Sequence, residues 1–176
     1  RSPQFRPGVD DAHLAEHLAA AGDGLAAGQS LIAAAEFARE TSGGVEALRL
    51  LDRALELLPH DAYEERYRVH GERELLLRGV GDRAGQQRES QGMQKMAIAL
   101  ADRRRESEAH ARAALLHLET GKYPAARREI DRALKLARDF GEPFAEAEAL
   151  RIEAKVLSSI GKNQEAEERV TKALWV

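Results

Sequence analysis

The sequence predicts an all-α fold, a right-handed solenoid built from antiparallel helix pairs. Composition is the first reason: 43% of residues are apolar and only 5% are aromatic. The apolar residues are mostly Ala and Leu, which favour helices over strands. The second reason is the constant spacing of the turn glycines Gly81, Gly121 and Gly161, and the third is the helical spacing of apolar residues beside those turns. A single helix pair cannot bury its apolar face alone, so the repeat predicts pairs that stack on one another.

A short irregular lead-in is predicted at residues 1–9, where Pro3, Pro7 and Gly8 oppose regular structure. Residues 10–176 form the predicted repeat domain, with turns near residues 22, 43, 81, 121 and 161. Nine helices are expected in that domain, at residues 11–21, 25–41, 44–58, 61–79, 83–101, 103–119, 123–140, 143–160 and 163–175.

Local signals set several of these helix ends. Asp61 with Glu64 three residues later predicts a capping pair at the start of the fourth helix. Leu58 before Pro59 ends the third helix, because a proline disfavours helical backbone in the residue that precedes it. The segment at 140–144 supplies a glycine and then a proline, which end one helix and start the next.

Helices that follow the turns carry a narrow apolar stripe at positions i, i+4 and i+7. The alanines on this stripe let two helix backbones approach closely, and the larger residue between them fills the remaining gap. The repeat therefore records a packing requirement. The stripe residues are Ala47, Leu51 and Ala54; Ala126, Ile130 and Ala133; and Ala166, Val170 and Ala173.

Charge and composition restrict the class of partner. The net charge of −3 with a pI near 6.1 offers nucleic acid no overall attraction. The absence of cysteine excludes a disulfide scaffold, a thiol nucleophile and a cysteine zinc site, and it fits a reducing cytoplasm. The longest apolar run, residues 96–101, is far shorter than the ~20 residues of a membrane span. We predict a cytoplasmic protein that binds neither nucleic acid nor membrane.

Residues 107–143 and 145–174 resemble tetratricopeptide-type (TPR-like) helical repeats. The motif residues in the first of these segments are the small pair Ala113 and Ala114, Gly121 and Tyr123 in the turn, and Ala126 and Ala133 in the second helix. The repeat length of 40 exceeds the usual 34. It resembles the longer repeats found beside ATPase or kinase domains in bacterial signalling proteins and transcription regulators. The resemblance implies a scaffold for protein or peptide partners, with no chemistry of its own.

The Gly121-Lys122 pair invites comparison with a phosphate-binding loop, but the pattern lacks two required residues. That loop needs a glycine five residues before the second glycine and a Ser or Thr after the lysine. Leu116 and Tyr123 occupy those positions. The turn also joins two helices and not a strand to a helix. We therefore predict no cofactor and no nucleotide site.

The histidines offer no complete metal or catalytic site. His13 and His17 have the i, i+4 spacing of two zinc ligands, but no third ligand is apparent. His110 and His117 fall on positions that the repeat uses for packing, so a buried or half-buried structural role is expected. We therefore predict no metal site, no catalytic residues and no enzyme.

A partner groove is the functional prediction. In arrays that resemble this one, the first helix of each pair lines the concave side, and a strip of Arg112, Arg151 and Lys155 suits an acidic peptide or helix. The full predicted set is Arg112, Arg151, Lys155, Glu108, Ser159 and Arg68. The alternative is that these charges only keep the surface soluble.

Two function hypotheses follow. The first is a non-catalytic scaffold for protein or peptide partners within a larger bacterial signalling or regulatory protein. The second is a sensory module that binds a small ligand or peptide in its groove and relays the event to an attached effector domain.

Two segments receive specific expectations. Residues 82–92 are almost entirely polar with two glycines, so we expect the least protected helical stretch there. The chain ends in Leu174, Trp175 and Val176 without a polar cap. That ending predicts that further repeats follow in a longer protein and that this end self-associates weakly.

Overall fold

A computed structural model describes Arg6 and residues 8–176, so most of the predicted lead-in, residues 1–5 and 7, lies outside the described residues. Every regular element in the described part of the chain is an α-helix, which confirms the all-α prediction. Each predicted helix end lies within two residues of an observed one. The helices are α1 (Val9–Ala20), α2 (Gly24–Thr41), α3 (Gly44–Leu57), α4 (Tyr63–Val80), α5 (Arg83–Ala99), α6 (Arg103–Glu119), α7 (Tyr123–Asp139), α8 (Pro143–Ser159) and α9 (Asn163–Leu174).

The predicted capping pair at Asp61 is wrong. Helix α4 begins at Tyr63, and its N-cap is Ala62, which makes no side-chain cap hydrogen bond. The N–H of Ala62 donates to the Pro59 carbonyl at 3.1 Å, so a separate turn occupies the residues after the proline. Asp61 is therefore part of this turn and cannot cap the helix. The end of α3 is as predicted, because Leu58 is extended directly before Pro59.

The chain divides into two compact units after Gly81. The first unit, Arg1–Gly81, contains α1 to α4, and each of these helices packs on the next, while α2 also contacts α4. Its core is a cluster of aliphatic side chains from α1, α2, α3 and α4, with the fully buried Ile32, Leu51 and Val69 among them. This packing closes the apolar stripes of α2 and α3 against each other.

The second unit, Asp82–Val176, contains α5 to α9 and is strictly periodic. The five helices begin at residues 83, 103, 123, 143 and 163. The first four of them are each 17 residues long. A three-residue turn separates each helix from the next, so consecutive packed helices run antiparallel. The structural period is therefore one helix with its turn, half of the repeat that the sequence suggests.

Left-handed residues mark these turns at the same interval. Gly121, Gly141 and Gly161 have φ angles of 70°, 66° and 80°, which glycine adopts without a steric penalty. Ala101 takes the equivalent place between α5 and α6 with φ of 52°. Lysines that follow the glycines are helix N-caps without side-chain cap bonds, as at Lys122. The recurring Gly-Lys pair is thus a helix-to-helix turn.

Stacking in the second unit follows the order of a helical repeat. Helix α6 contacts α5, α7 and α8, so successive helix pairs share an interface. Buried alanines at the crossings, such as Ala114, Ala126 and Ala133, permit the close approach that the stripe predicts. Within the described residues, no helix combines the length and the low polarity that crossing a bilayer requires.

Candidate partner-binding groove

The groove between α6 and α7 is filled by α8, which contacts both helices. The α8 side chains Ala149, Leu150, Ile152 and Val156 are buried in it. Leu115 and Leu118 of α6 are half-buried against this cluster. The buried groove residues themselves are Ala111 and Ala114 of α6 with Ala126, Ile130, Ala133 and Leu134 of α7. This groove shows how a helix packs between the two helices of a pair in this fold.

The corresponding positions one repeat later form a second groove, between α8 and α9. No helix of the described part of the chain covers it, and its volume is about 920 Å³. Its lining residues are Arg151, Ala154, Lys155 and Ser158 of α8 with Asn163, Ala166, Glu167, Val170, Thr171, Ala173 and Leu174 of α9. The second groove therefore repeats the shape of the first but is open to solvent.

The exposed fractions of equivalent side chains show how the filled groove and the open groove differ. Ile130 and Leu134 of α7 are 0% and 6% exposed, because α8 covers them. Their counterparts on α9, Val170 and Leu174, are 47% and 80% exposed. The apolar strip that α7 buries in the first groove has its counterpart on α9 exposed to solvent in the second groove. The neighbouring Trp175 is 85% exposed.

The α8 wall of the open groove differs in chemistry from the α6 wall of the filled one. Arg151 stands where α6 has Ala111, and Lys155 stands where α6 has Leu115. Ser158 likewise replaces Leu118. One wall is therefore polar and cationic, whereas the α9 wall keeps Ala166, Val170, Ala173 and Leu174 as its apolar part.

The cations of this wall are accessible. The Arg151 guanidinium donates to Glu148 Oε2 of the same helix at 2.5 Å, and both side chains are about half exposed, at 58% and 45%. Lys155 is exposed and forms no ion pair with the described residues. Glu167 is the acidic residue in the groove lining, and it lies on α9. The two cations thus occupy one wall and the acid the other.

The structure separates the other predicted groove residues from this site. Arg112 pairs with Glu108 on α6 at 2.9 Å, and neither lines the open groove. The Ser159 hydroxyl donates to the Lys155 carbonyl of its own helix at 2.8 Å. Arg68 belongs to the first unit and pairs with Glu36. Of the predicted set, only Arg151 and Lys155 line the open groove.

The α9 wall was not predicted as part of the site. Val170 was predicted to contact the preceding helix, whereas its side chain is half-exposed in the groove. The signal was present in the repeat, because Val170 and Leu174 follow Ile130 and Leu134 by one repeat length. To predict that Val170 and Leu174 are exposed, one must also know that no described helix covers them.

The histidines considered as possible ligands lie outside any metal cluster of the described residues. His110 Nδ1 lies 2.7 Å from Glu129 Oε2, and this hydrogen bond is the main reason that the pKa of Glu129 is below its ordinary value. Burial lowers the pKa of His117, whose Nδ1 has no hydrogen-bond partner among the described residues. His13 and His17 are exposed. No three potential ligands in the described ranges are grouped to hold a metal ion.

Comparison with models of known protein families and with curated proteins finds no match.

Proposed function

We propose that the chain is a non-catalytic interaction module that binds a helical segment of a partner protein in the groove between α8 and α9. The supporting observation is the filled groove between α6 and α7, in which the same fold holds α8. Helix-in-groove binding of this kind relies on an apolar face with anchors at i, i+3, i+4 and i+7. Val170 and Leu174 supply the exposed apolar surface that such anchors would cover.

The proposal includes a TPR-like scaffold in a larger bacterial signalling or regulatory protein, located in the cytoplasm. Support comes from the stacked helix pairs and the small residues at their crossings, together with the absence of cysteine. A groove that leaves Leu174 80% exposed suits a helix better than a small molecule. Small-molecule sites bury most of the surface of their ligand, so the groove favours the scaffold over the sensory alternative.

The test measures binding of a labelled amphipathic helical peptide of 17 residues, the length of α8, to the whole chain. Fluorescence anisotropy compares the wild type with the variant Val170→Asp/Leu174→Asp. The matched control is Ile98→Asp/Phe144→Asp, because those side chains are 58% and 85% exposed and lie outside the groove. Circular dichroism verifies that both variants remain folded.

We expect the groove variant to weaken binding about tenfold or more, since a buried aspartate loses its hydration, and the control to bind like the wild type. Binding weaker than about 1 mM to every amphipathic helix tried, or equal losses in the two variants, would contradict the proposal.

A further inference from the structure

We infer that the helix bound in the groove between α8 and α9 is acidic along the flank that lies against α8. The inference rests on the proposed function and specifies the chemistry of its partner. It comes from comparing the filled and open grooves of the second unit, position by position.

In the filled groove, acidic side chains of the docked helix meet arginines on the wall formed by α7. Glu146 of α8 accepts a hydrogen bond from Arg138 Nε of α7 at 2.7 Å. Glu153 of α8, which is 4% exposed, lies 3.7 Å from Arg127 Nη2 and also accepts a hydrogen bond from Arg169 Nε of α9 at 2.9 Å. The fold therefore already pairs acids of a docked helix with cations of a groove wall.

In the open groove this charge arrangement is reversed between the walls. Glu167 of α9 takes the place that Arg127 has on α7, so the cation of that wall has become an acid. The opposite wall has gained two cations, Arg151 and Lys155, at positions where α6 has Ala111 and Leu115. Acidic groups on a docked helix would be repelled by the α9 wall and attracted by the α8 wall.

The cations of the α8 wall can exchange partners at low cost. Arg151 is paired with Glu148, but exposed pairs of this kind add little to stability. An arginine offers two parallel donors to a carboxylate, and a partner that removes water from the groove strengthens that contact. The partner helix therefore has apolar anchors facing α9 and Asp or Glu on the flank facing α8.

Three probe helices test this inference with the whole chain. They share one apolar stripe and carry Glu, Lys or Gln along one flank, with Gln along the other. Reversing the direction of a helix in the groove exchanges its flanks, so the Glu probe can always place its acids against α8. Anisotropy at low salt measures the three dissociation constants, because salt screens exposed charges.

For the wild type we expect the Glu probe to bind about tenfold more tightly than the Gln probe, and more tightly than the Lys probe, which can meet only Glu167 on the α9 wall. The charge-reversal variant Arg151→Glu/Lys155→Glu should invert this order. The matched control is Arg128→Glu/Lys135→Glu, which changes the same residue types on exposed positions of α7 outside the groove. The control should keep the wild-type order.

The outcomes separate this inference from the proposed function. Equal binding of all three probes, or an order that Arg151→Glu/Lys155→Glu leaves unchanged, would overturn the inference and leave helix binding intact. No binding of any probe would overturn both. Sedimentation of the wild type at the assay concentration provides a further test: self-association that Arg151→Glu/Lys155→Glu abolishes would identify a second copy as the occupant, and the inference would be wrong.

Discussion

Helix α6 packs against α5 on one side and α7 on the other, and the two hairpins share one geometry but not one chemistry. Both pairs join helices of 17 residues through three-residue turns. Half of the buried residues of α5 are polar, whereas the buried residues of α7 are all apolar. The buried residues are Gly85, Gln86, Glu89, Ser90, Met93 and Ala97 on α5, and Ala126, Ile130, Ala133, Leu134 and Ala137 on α7.

Hydrogen bonding shows what the burial of polar side chains on α5 costs. Gln86 Oε1 accepts from Arg83 at 2.6 Å, but the buried Ser90 hydroxyl has no partner among the described residues. On the other side, Ser107 donates to the Ala133 carbonyl at 2.9 Å within an apolar surround. An unpaired buried hydroxyl costs about 1–3 kcal/mol. Two hairpins of equal backbone geometry are therefore expected to differ in stability, and three predictions address that difference.

The largest effect is expected from truncating the centre of the apolar interface. Ile130→Ala should lower the free energy of unfolding by about 2–5 kcal/mol, because it leaves a cavity at a fully buried position. The control is Val170→Ala at the corresponding place on α9, which is 47% exposed and should cost less than about 1 kcal/mol. Urea denaturation measures both values. Similar losses would show that α8 does not seal the filled groove.

The next effect concerns local opening of the polar helix. Gly85 and Gly92 in the interior of α5 each cost about 0.5–1 kcal/mol relative to alanine. Amide hydrogens at residues 83–92 should therefore exchange faster than those at 124–134 of α7, with a difference in opening free energy of about 1–2 kcal/mol. Hydrogen exchange read by NMR tests this difference. Slower exchange at 83–92 would contradict the unequal stability of the two hairpins.

The smallest effect lies in the two turns. Ala101, with φ of 52°, sits where the α6–α7 turn has Gly121. Ala101→Gly should stabilise the protein by up to about 1 kcal/mol by relieving left-handed strain. Gly121→Ala should destabilise it by about 1 kcal/mol, although the space around an added Cβ is open. Thermal unfolding of the two variants shows whether each substitution raises or lowers the stability.

A glycine substitution with an ordinary backbone controls for the entropy of the unfolded chain. Gly79 lies in the last turn of α4, outside the left-handed region and with open space around it, so Gly79→Ala should stabilise. If Gly121→Ala behaved like Gly79→Ala, the turn would carry no left-handed strain.

Helix positions were predictable because they depend on local chemistry, namely apolar spacing and turn residues. The predicted boundaries already contained the equal spacing of the helix starts, but they did not predict that Ala101 takes the left-handed backbone that glycine holds in the other turns. The helix propensity of alanine gives no indication that Ala101 adopts a left-handed backbone conformation. Asp61 was misassigned for a related reason, since its capping pattern is valid only if the helix starts immediately after it, and the Pro59 turn delays that start.

The residues of the proposed site were predictable in part. Arg151 and Lys155 were identified from their place on the first helix of a pair, and both line the open groove. Arg112 was grouped with them, although Glu108 four residues earlier favours a pair along the same helix. The α9 wall was not identified, because whether an apolar stripe is covered depends on neighbouring helices and not on the stripe itself.

The equal spacing of α5 to α9 has a consequence for how the chain finds its native pairing. Because α5, α6, α7 and α8 are each followed by the same three-residue turn, a segment displaced by one full repeat still presents a helix at each expected place, and α9 could pair with α6 in the manner of α7. Backbone geometry alone cannot discriminate against such out-of-register structures, so side chains must. Gln86 and Glu89 have no counterparts in the buried stripe of α7, so α5 and α7 cannot exchange places without burying polar groups away from their partners. These buried polar residues of α5 thereby disfavour misfolding of the unit into a shifted copy of itself.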